Sequence, residues 1–137
     1  MYEELFEDFA TCQDTLRIYQ DGKLVFSSQK DRLLPLMEYM ETSPENHGQV
    51  TVMDKLVGNA AALLAIKAGC SEVFSPLGSE LAVETMNKFD IEHHIATLVP
   101  RILKDDGTDF CPMEKLSIGK TPEEFYQVMK DLISGKA

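Results

Sequence analysis

Three polar residues, Asp54, Lys55 and Asn59, stand at the start of an otherwise apolar stretch that runs from Met53 to Gly69. The stretch predicts a central buried helix, with Asp54 as its N-cap and Gly69 in the left-handed position after its end. A helix N-terminus offers free backbone N–H groups and a partial positive charge, which suit an anionic or polar ligand. One interpretation therefore places the three polar side chains around a ligand. The other is a plain cap beside an exposed lysine.

Cys111 and Glu114 offer a second kind of chemistry. The segment Thr121-Pro122-Glu123-Glu124 has the preferred cap, proline and glutamate of a helix start. Cys111-Pro112-Met113-Glu114 has the same layout, but a cysteine stands at the cap position in place of a residue with a hydroxyl. At an N-cap the sulfur would face free N–H groups, which lower the pKa of a thiol and make it a nucleophile. A short packed cysteine is the alternative, and the carboxylate of Glu114 disfavours a thiolate.

No metal site and no cofactor are expected. The histidines His93 and His94 point to opposite faces of a predicted strand, so they do not form a local ligand pair. The cysteines are widely separated in the sequence: Cys12, Cys70 and Cys111. The polar turn at 105–108 lacks the ligand spacing and the closing glutamate of a calcium loop, and ordinary turn chemistry or backbone contact with a ligand are its two interpretations. We expect Cys70 to be a packing residue.

Hydrophobic periodicity predicts the elements that position these residues. In chain order they are an amphipathic helix over 2–9, a hairpin across Asp21-Gly22, a helix over 33–41, a surface loop over 42–49, the central helix, a strand over 72–75, a helix capped by Ser79 and running to Phe89, a strand over 91–97, a turn over 105–109, and a last helix opened by Thr121. The strands at 72–75 and 91–97 predict a parallel crossover. Small residues along the central helix allow it to lie close to a sheet: Gly58, Ala62, Ala65 and Gly69. The 137 residues are expected to form a single α/β domain over 1–137.

The composition limits the classes of partner. The net charge of −10, without a basic run, argues against binding to a nucleic-acid polymer, because phosphate neutralisation supplies most of that affinity. Three scattered cysteines, and the lack of a leader or of a long apolar run, argue against secretion and membrane spanning. The sequence therefore predicts a cytoplasmic protein with a small-molecule partner, and a homo-oligomer remains open.

Two segments resemble a small prokaryotic family, domain of unknown function 1893: DKLVGNAAALLAIKAG and DGTDFCPMEKL. The resemblance implies a cytidine deaminase-like fold, which is a three-layer α/β/α sandwich with a mixed sheet. Zinc deaminases carry H-x-E at the start of one helix and P-C-x-x-C at the start of the next. At those places this chain has Asp54-Lys55-Leu56 and Pro76-Leu77-Gly78-Ser79-Glu80, so no zinc ligand is retained and zinc-dependent deamination is not expected.

The leading hypothesis is a deaminase-fold protein without zinc that binds a small polar ligand, nucleoside-like or sugar-phosphate-like, at the N-terminus of the central helix. Asp54, Lys55, Asn59 and Glu114 are the expected ligand-binding residues, with Cys111 nearby as a candidate catalytic residue. A transferase or hydrolase that uses Cys111 as its nucleophile is the second hypothesis. A non-catalytic oligomeric scaffold is the third.

Overall fold

Residues 2–31, 33–42, 49–102 and 112–135 are described by a computed structural model of the chain. Within these ranges there are five strands and six helices: α1 (Glu3–Thr11), β1 (Leu16–Gln20), β2 (Lys23–Ser28), α2 (Leu34–Thr42), β3 (Val50–Asp54), α3 (Asn59–Lys67), β4 (Cys70–Ser79), α4 (Glu80–Lys88), β5 (Glu92–Val99), α5 (Pro112–Ser117) and α6 (Pro122–Ser134).

The strands form one mixed sheet in the order β2-β1-β3-β4-β5. Strand β1 is antiparallel to both β2 and β3, whereas β3, β4 and β5 run parallel to one another. The predicted parallel crossover is confirmed in β4, α4 and β5, with both strands longer than the sequence indicated. The carboxyl ends of the three parallel strands therefore meet at one edge of the sheet.

Each face of the sheet carries its own apolar core. The larger core combines residues of β1, β3 and β4 with residues of α2, α3, α4 and α6. The smaller core lies under α1 on the other face, where Phe9 packs with Tyr19, Met53 and Phe74. The described helices and the sheet form three layers, with α1 on one side of the sheet and at least four helices on the other.

Local sequence signals account for the hairpin and two helix starts. Asp21 and Gly22 both have positive φ, 53° and 79°, as a two-residue hairpin turn requires, and β1 and β2 pair across them. Ser79 caps α4 by accepting a hydrogen bond from the backbone N–H of Ala82 at 3.1 Å. Thr121 forms the predicted capping box with Glu124 at the start of α6. These three predictions are confirmed.

The prediction of the start of the central helix is wrong. Val50–Asp54 is a fully buried strand, and α3 begins only at Asn59, with Gly58 as its N-cap. Asp54 is therefore the last residue of β3 and caps no helix. The strand was missed because its short apolar run leads directly into the apolar residues of the helix, and periodicity does not separate a buried strand from a buried helix over so few residues.

Helix α3 is nevertheless the centre of the larger core. Its residues from Asn59 to Ala65 are all buried, and it contacts α4, α5, α6 and β4. Gly69 follows the helix with φ of 93°, the predicted left-handed position. No helix in the described ranges is long and apolar enough to cross a lipid bilayer. The predicted turn at 105–109, Cys111 and most of the predicted loop at 42–49 lie outside the described residues.

Candidate functional site

The N-terminus of α3 is occupied by a carboxylate of the chain itself. Glu114 accepts hydrogen bonds from the backbone N–H groups of Asn59 and Ala60, both at 2.8 Å, and its side chain is buried. Gly58 leaves the space for it, since a Cβ there would lie 2.5 Å from the carboxylate. Burial raises the pKa of Glu114, while the two backbone N–H groups act in the opposite direction. An anionic ligand would have to displace Glu114 to reach this position.

Asn59 is used for packing between helices. Its amide nitrogen donates to the backbone oxygen of Ser117 at 3.3 Å and to the hydroxyl of Ser117 at 2.9 Å. Its amide oxygen accepts a hydrogen bond from the hydroxyl of Thr85. Both amide hydrogens are thus engaged, and Asn59 joins α3 to α4 and α5 with no donor left for a ligand.

Lys55 points away from Asn59. Its Nζ donates to the backbone oxygens of Cys12 at 2.6 Å and Asp14 at 2.8 Å, and it lies 4.7 Å from the ring centre of Phe9. These contacts hold it against the turn between α1 and β1, on the other side of the sheet from α3. The predicted grouping of Lys55 with Asn59 is wrong, because the strand end directs neighbouring side chains to opposite faces.

Asp54 is a buried carboxyl group at the carboxyl end of β3. It alternates with Val50 and Val52, which places it on the face that carries α3. Its Oδ1 accepts a hydrogen bond from the backbone N–H of Leu56 at 3.4 Å. Burial raises the pKa of Asp54 to about 7, against the lowering effect of the N–H groups of Leu56 and Lys55. A carboxyl with this pKa can both give and take a proton near neutral pH.

An apolar groove lies at the same edge of the sheet. It has a volume of about 670 Å³ and its lining comes from the segment after β3 and from the ends of β4 and β5: Leu56, Leu77, Val99, Pro100, Arg101 and Ile102. The segment after β3 is fixed to β4 by two hydrogen bonds, from the N–H of Val57 to the oxygen of Leu77 at 2.9 Å and from the N–H of Ser79 to the oxygen of Val57 at 3.0 Å. The sequence did not indicate this groove because its lining comes from three separate parts of the chain.

The signal that could have indicated the groove is topological. In open α/β sheets, ligands bind outside the carboxyl ends of the parallel strands. Once β3 is recognised as a strand parallel to β4, Asp54 and Leu56 fall at that edge together with Leu77 and Val99. The missed strand therefore also hid the groove.

The two segments that the deaminase resemblance singled out lie at this edge as well. The first segment, 54–56, consists of the last residue of β3 and the two residues after it. The second, 76–80, consists of the last four residues of β4 and the first residue of α4. The N-termini of α3 and α4 are satisfied by Glu114 and by Ser79. Neither place contains a histidine or a cysteine.

The cysteine predictions have separate outcomes. Cys70 is buried in the larger core, and burial raises the pKa of its thiol to about 12, so its predicted packing role is confirmed. Cys111 lies outside the described residues. Helix α5 begins at Pro112, the next residue, as the cap layout predicted, but Glu114 reaches α3. The hypothesis of a Cys111 nucleophile stays a prediction, and the pH dependence of its alkylation tests it.

The fold and the site define an α/β protein with a mixed five-stranded sheet and a groove at the carboxyl edge of its parallel strands. The family model described as domain of unknown function (DUF1893), TM1506, matches residues 6–133, and the chain belongs to that family. It is similar to the crystal structure of a DUF1893 family protein, TM1506 from Thermotoga maritima, with a TM-score of 0.79 and 27% sequence identity. The match covers 93% of this chain and 84% of that one. No curated protein matches the chain.

Proposed function

We propose that the chain binds a nucleoside or a free nucleobase in the carboxyl-edge groove, with Asp54 as the acid-base group behind the groove wall. The observation that carries the proposal is the link between them: Leu56 lines the groove, and its backbone N–H donates to the buried carboxyl of Asp54. A buried carboxyl with a pKa near neutrality is typical of functional sites. The groove has the size of a small-molecule pocket and the position at which α/β sheets bind ligands.

The occupied helix N-termini and the net charge favour a neutral ligand over a sugar phosphate, in spite of Arg101 in the groove lining. Backbone N–H groups at the starts of both α3 and α4 already bond the side chains of Glu114 and Ser79. The net charge of −10 repels an additional anion. Leucine, valine, proline and isoleucine side chains of the lining suit the flat face of a base.

The deaminase-like classification is part of the same proposal. Its support is the three-layer arrangement, the mixed sheet, and the position of Asp54 to Leu56 and of Pro76 to Glu80 at one edge. We assign proton transfer at this edge to the carboxyl of Asp54, since neither place has the histidine or the cysteines of a deaminase zinc site. A cytoplasmic location belongs to this proposal too.

A chemical-shift titration of the ¹⁵N-labelled full chain tests the proposal. Uridine and cytidine are the probes, and ribose 5-phosphate is the comparison. We expect saturable shifts in the amides of Leu56, Leu77 and Val99 with the nucleosides, and none at those amides with the sugar phosphate. Leu56→Arg fills the groove at a side chain that is 41% exposed and should abolish the shifts.

Leu24→Arg is the matched control. Leu24 is 51% exposed on β2, at the opposite edge of the sheet, so this variant should bind like the unmodified chain. Absence of saturable shifts at millimolar nucleoside, or shifts that persist unchanged in Leu56→Arg, would overturn the proposal.

A further inference from the structure

A cluster of metal-ligating side chains lies at the other end of the parallel strands. Glu72 of β4 pairs in register with Glu92 of β5, and two residues later Phe74 pairs with His94. Because side chains alternate along a strand, all four share one face of the sheet. That face is the one that carries α1, so this cluster is separate from the groove and from Asp54.

The donor atoms of this cluster are close together. His94 Nε2 lies 2.9 Å from Glu72 Oε2 and 3.5 Å from Glu92 Oε2. One ligand atom from each of the three residues can be chosen so that all lie within 4.8 Å of one another. Donor atoms bound to one tetrahedral ion at about 2.0–2.2 Å are separated by roughly 3.3 Å, so little movement is needed to enclose an ion.

Packing fixes the imidazole. The ring of His94 stacks on Phe74 with a centre-to-centre distance of 4.4 Å and an angle of 21° between the planes. Phe74 is only 5% exposed and belongs to the smaller core with Phe9 and Met53. The ring is therefore held by the core beneath it, with Nε2 directed at the carboxylates, as a ligand held ready for a metal would be.

The two carboxyl groups are placed so that they can share one cation. Each has an oxygen within 3.5 Å of His94 Nε2, and Glu72 and Glu92 pair in register on neighbouring strands. A divalent cation bound there would neutralise both carboxylates and gain the imidazole nitrogen as a third ligand.

We propose that Glu72, Glu92 and His94 bind a divalent transition-metal ion, for which Zn²⁺ is the best match. One imidazole nitrogen with two carboxylate oxygens suits zinc and similar ions, whereas Mg²⁺ and Ca²⁺ prefer oxygen ligands alone. Three protein ligands leave a coordination position for water or a second molecule. Glu92 and His94 are exposed, so that position faces solvent.

The test uses the full chain, first freed of metal with a chelator and then titrated with Zn²⁺ against a chromophoric competitor. We expect one equivalent to bind, and His94→Asn to weaken that binding by about tenfold or more. His93→Asn is the matched control, because His93 lies on the opposite face, where its Nε2 bonds Asn87 at 3.1 Å. Its affinity should equal that of the unmodified chain.

Thermal unfolding gives a second readout. Zn²⁺ should raise the melting temperature of the unmodified chain and of His93→Asn, but not that of His94→Asn. If His94→Asn does not fold, Glu92→Gln at an exposed position takes its place, and Zn²⁺ should not raise the melting temperature of that variant either. Failure of Zn²⁺ to bind, or equal affinity in the His94 or Glu92 variant, would overturn the proposal and leave the cluster as an ion pair.

Discussion

Asp54 is the residue on which the proposed chemistry depends. Its carboxyl is buried at the end of β3, accepts a hydrogen bond from Leu56 and has a pKa of about 7. A neutral side chain would be more stable there, so the charge that it carries above neutral pH costs folding energy. Such a cost is typical of a group retained for function.

Asp54→Asn should stabilise the protein in a pH-dependent way. The folded-state pKa of Asp54 is raised from 3.8 to about 7, so its protonated form stabilises the fold fully below about 3.8, and this contribution is lost as the pH rises to about 7. Asp54→Asn has no carboxyl that ionises, so it does not undergo this loss. Its free energy of unfolding should therefore exceed that of the unmodified chain by an amount that grows between pH 3.8 and about pH 7. The difference should level off above pH 7, at roughly 4 kcal/mol at most.

Urea unfolding at several pH values measures this difference, with Glu84→Gln on the exposed side of α4 as the control. The control should show no comparable growth. A difference between Asp54→Asn and the unmodified chain that does not vary with pH would show that the pKa of Asp54 is the same in the folded and the unfolded chain.

The sequence drew attention to residues that the fold buries, but it could not predict their contacts. Asp54 and Asn59 stood out at the start of an apolar stretch and Glu114 in a helix-start layout, and all three are buried. The cap on Asn59 comes from a residue 55 positions away along the chain. No periodicity or local motif encodes such a contact, because it depends on how α5 packs on α3.

At the scale of elements, the start of α3 and α5 form one unit. Gly58 and the carboxylate of Glu114 occupy adjoining space, and the carboxylate satisfies two backbone N–H groups. This arrangement explains why a glycine is the N-cap of the most buried helix without any capping side chain of its own.

A double-mutant cycle tests that unit. Glu114→Ala should cost about 2–4 kcal/mol, because it leaves two buried N–H groups without a partner. Gly58→Ala should cost about 1–3 kcal/mol by displacing the carboxylate, and much less when Glu114 is already alanine. Glu124→Ala, at the exposed cap of α6, should cost clearly less than Glu114→Ala. Additive costs for Gly58→Ala and Glu114→Ala in urea unfolding would contradict the arrangement.

Local signals were sufficient for the hairpin and for the caps of α4 and α6. The Asp21-Gly22 turn and the box at Thr121 are encoded within a few residues, and both are confirmed. Strand β3 was missed because all of its residues are buried, so the alternation that identifies a strand is absent. Because the strand was not recognised, Asp54 was predicted to be the N-cap of the central helix.

At the scale of the whole molecule, the groove is a property of the sheet. Its walls come from β4, β5 and the segment after β3, and no single stretch of sequence contains it. The negative net charge and the side-chain caps on α3 and α4 are the reasons for which we propose a neutral ligand. Membership of the DUF1893 family and the likeness to TM1506 support the fold and leave the ligand to experiment.

The most direct measurement is the pH titration of the Asp54 carboxyl by ¹³C NMR, without and with cytidine. The account predicts a pKa of about 7 in the free protein. It also predicts that cytidine changes this pKa in the unmodified chain and leaves it unchanged in Leu56→Arg, because the ligand contacts the wall that hydrogen-bonds Asp54. Titration of Asp54 near its ordinary value of about 4, or a pKa that saturating cytidine does not alter, would contradict it.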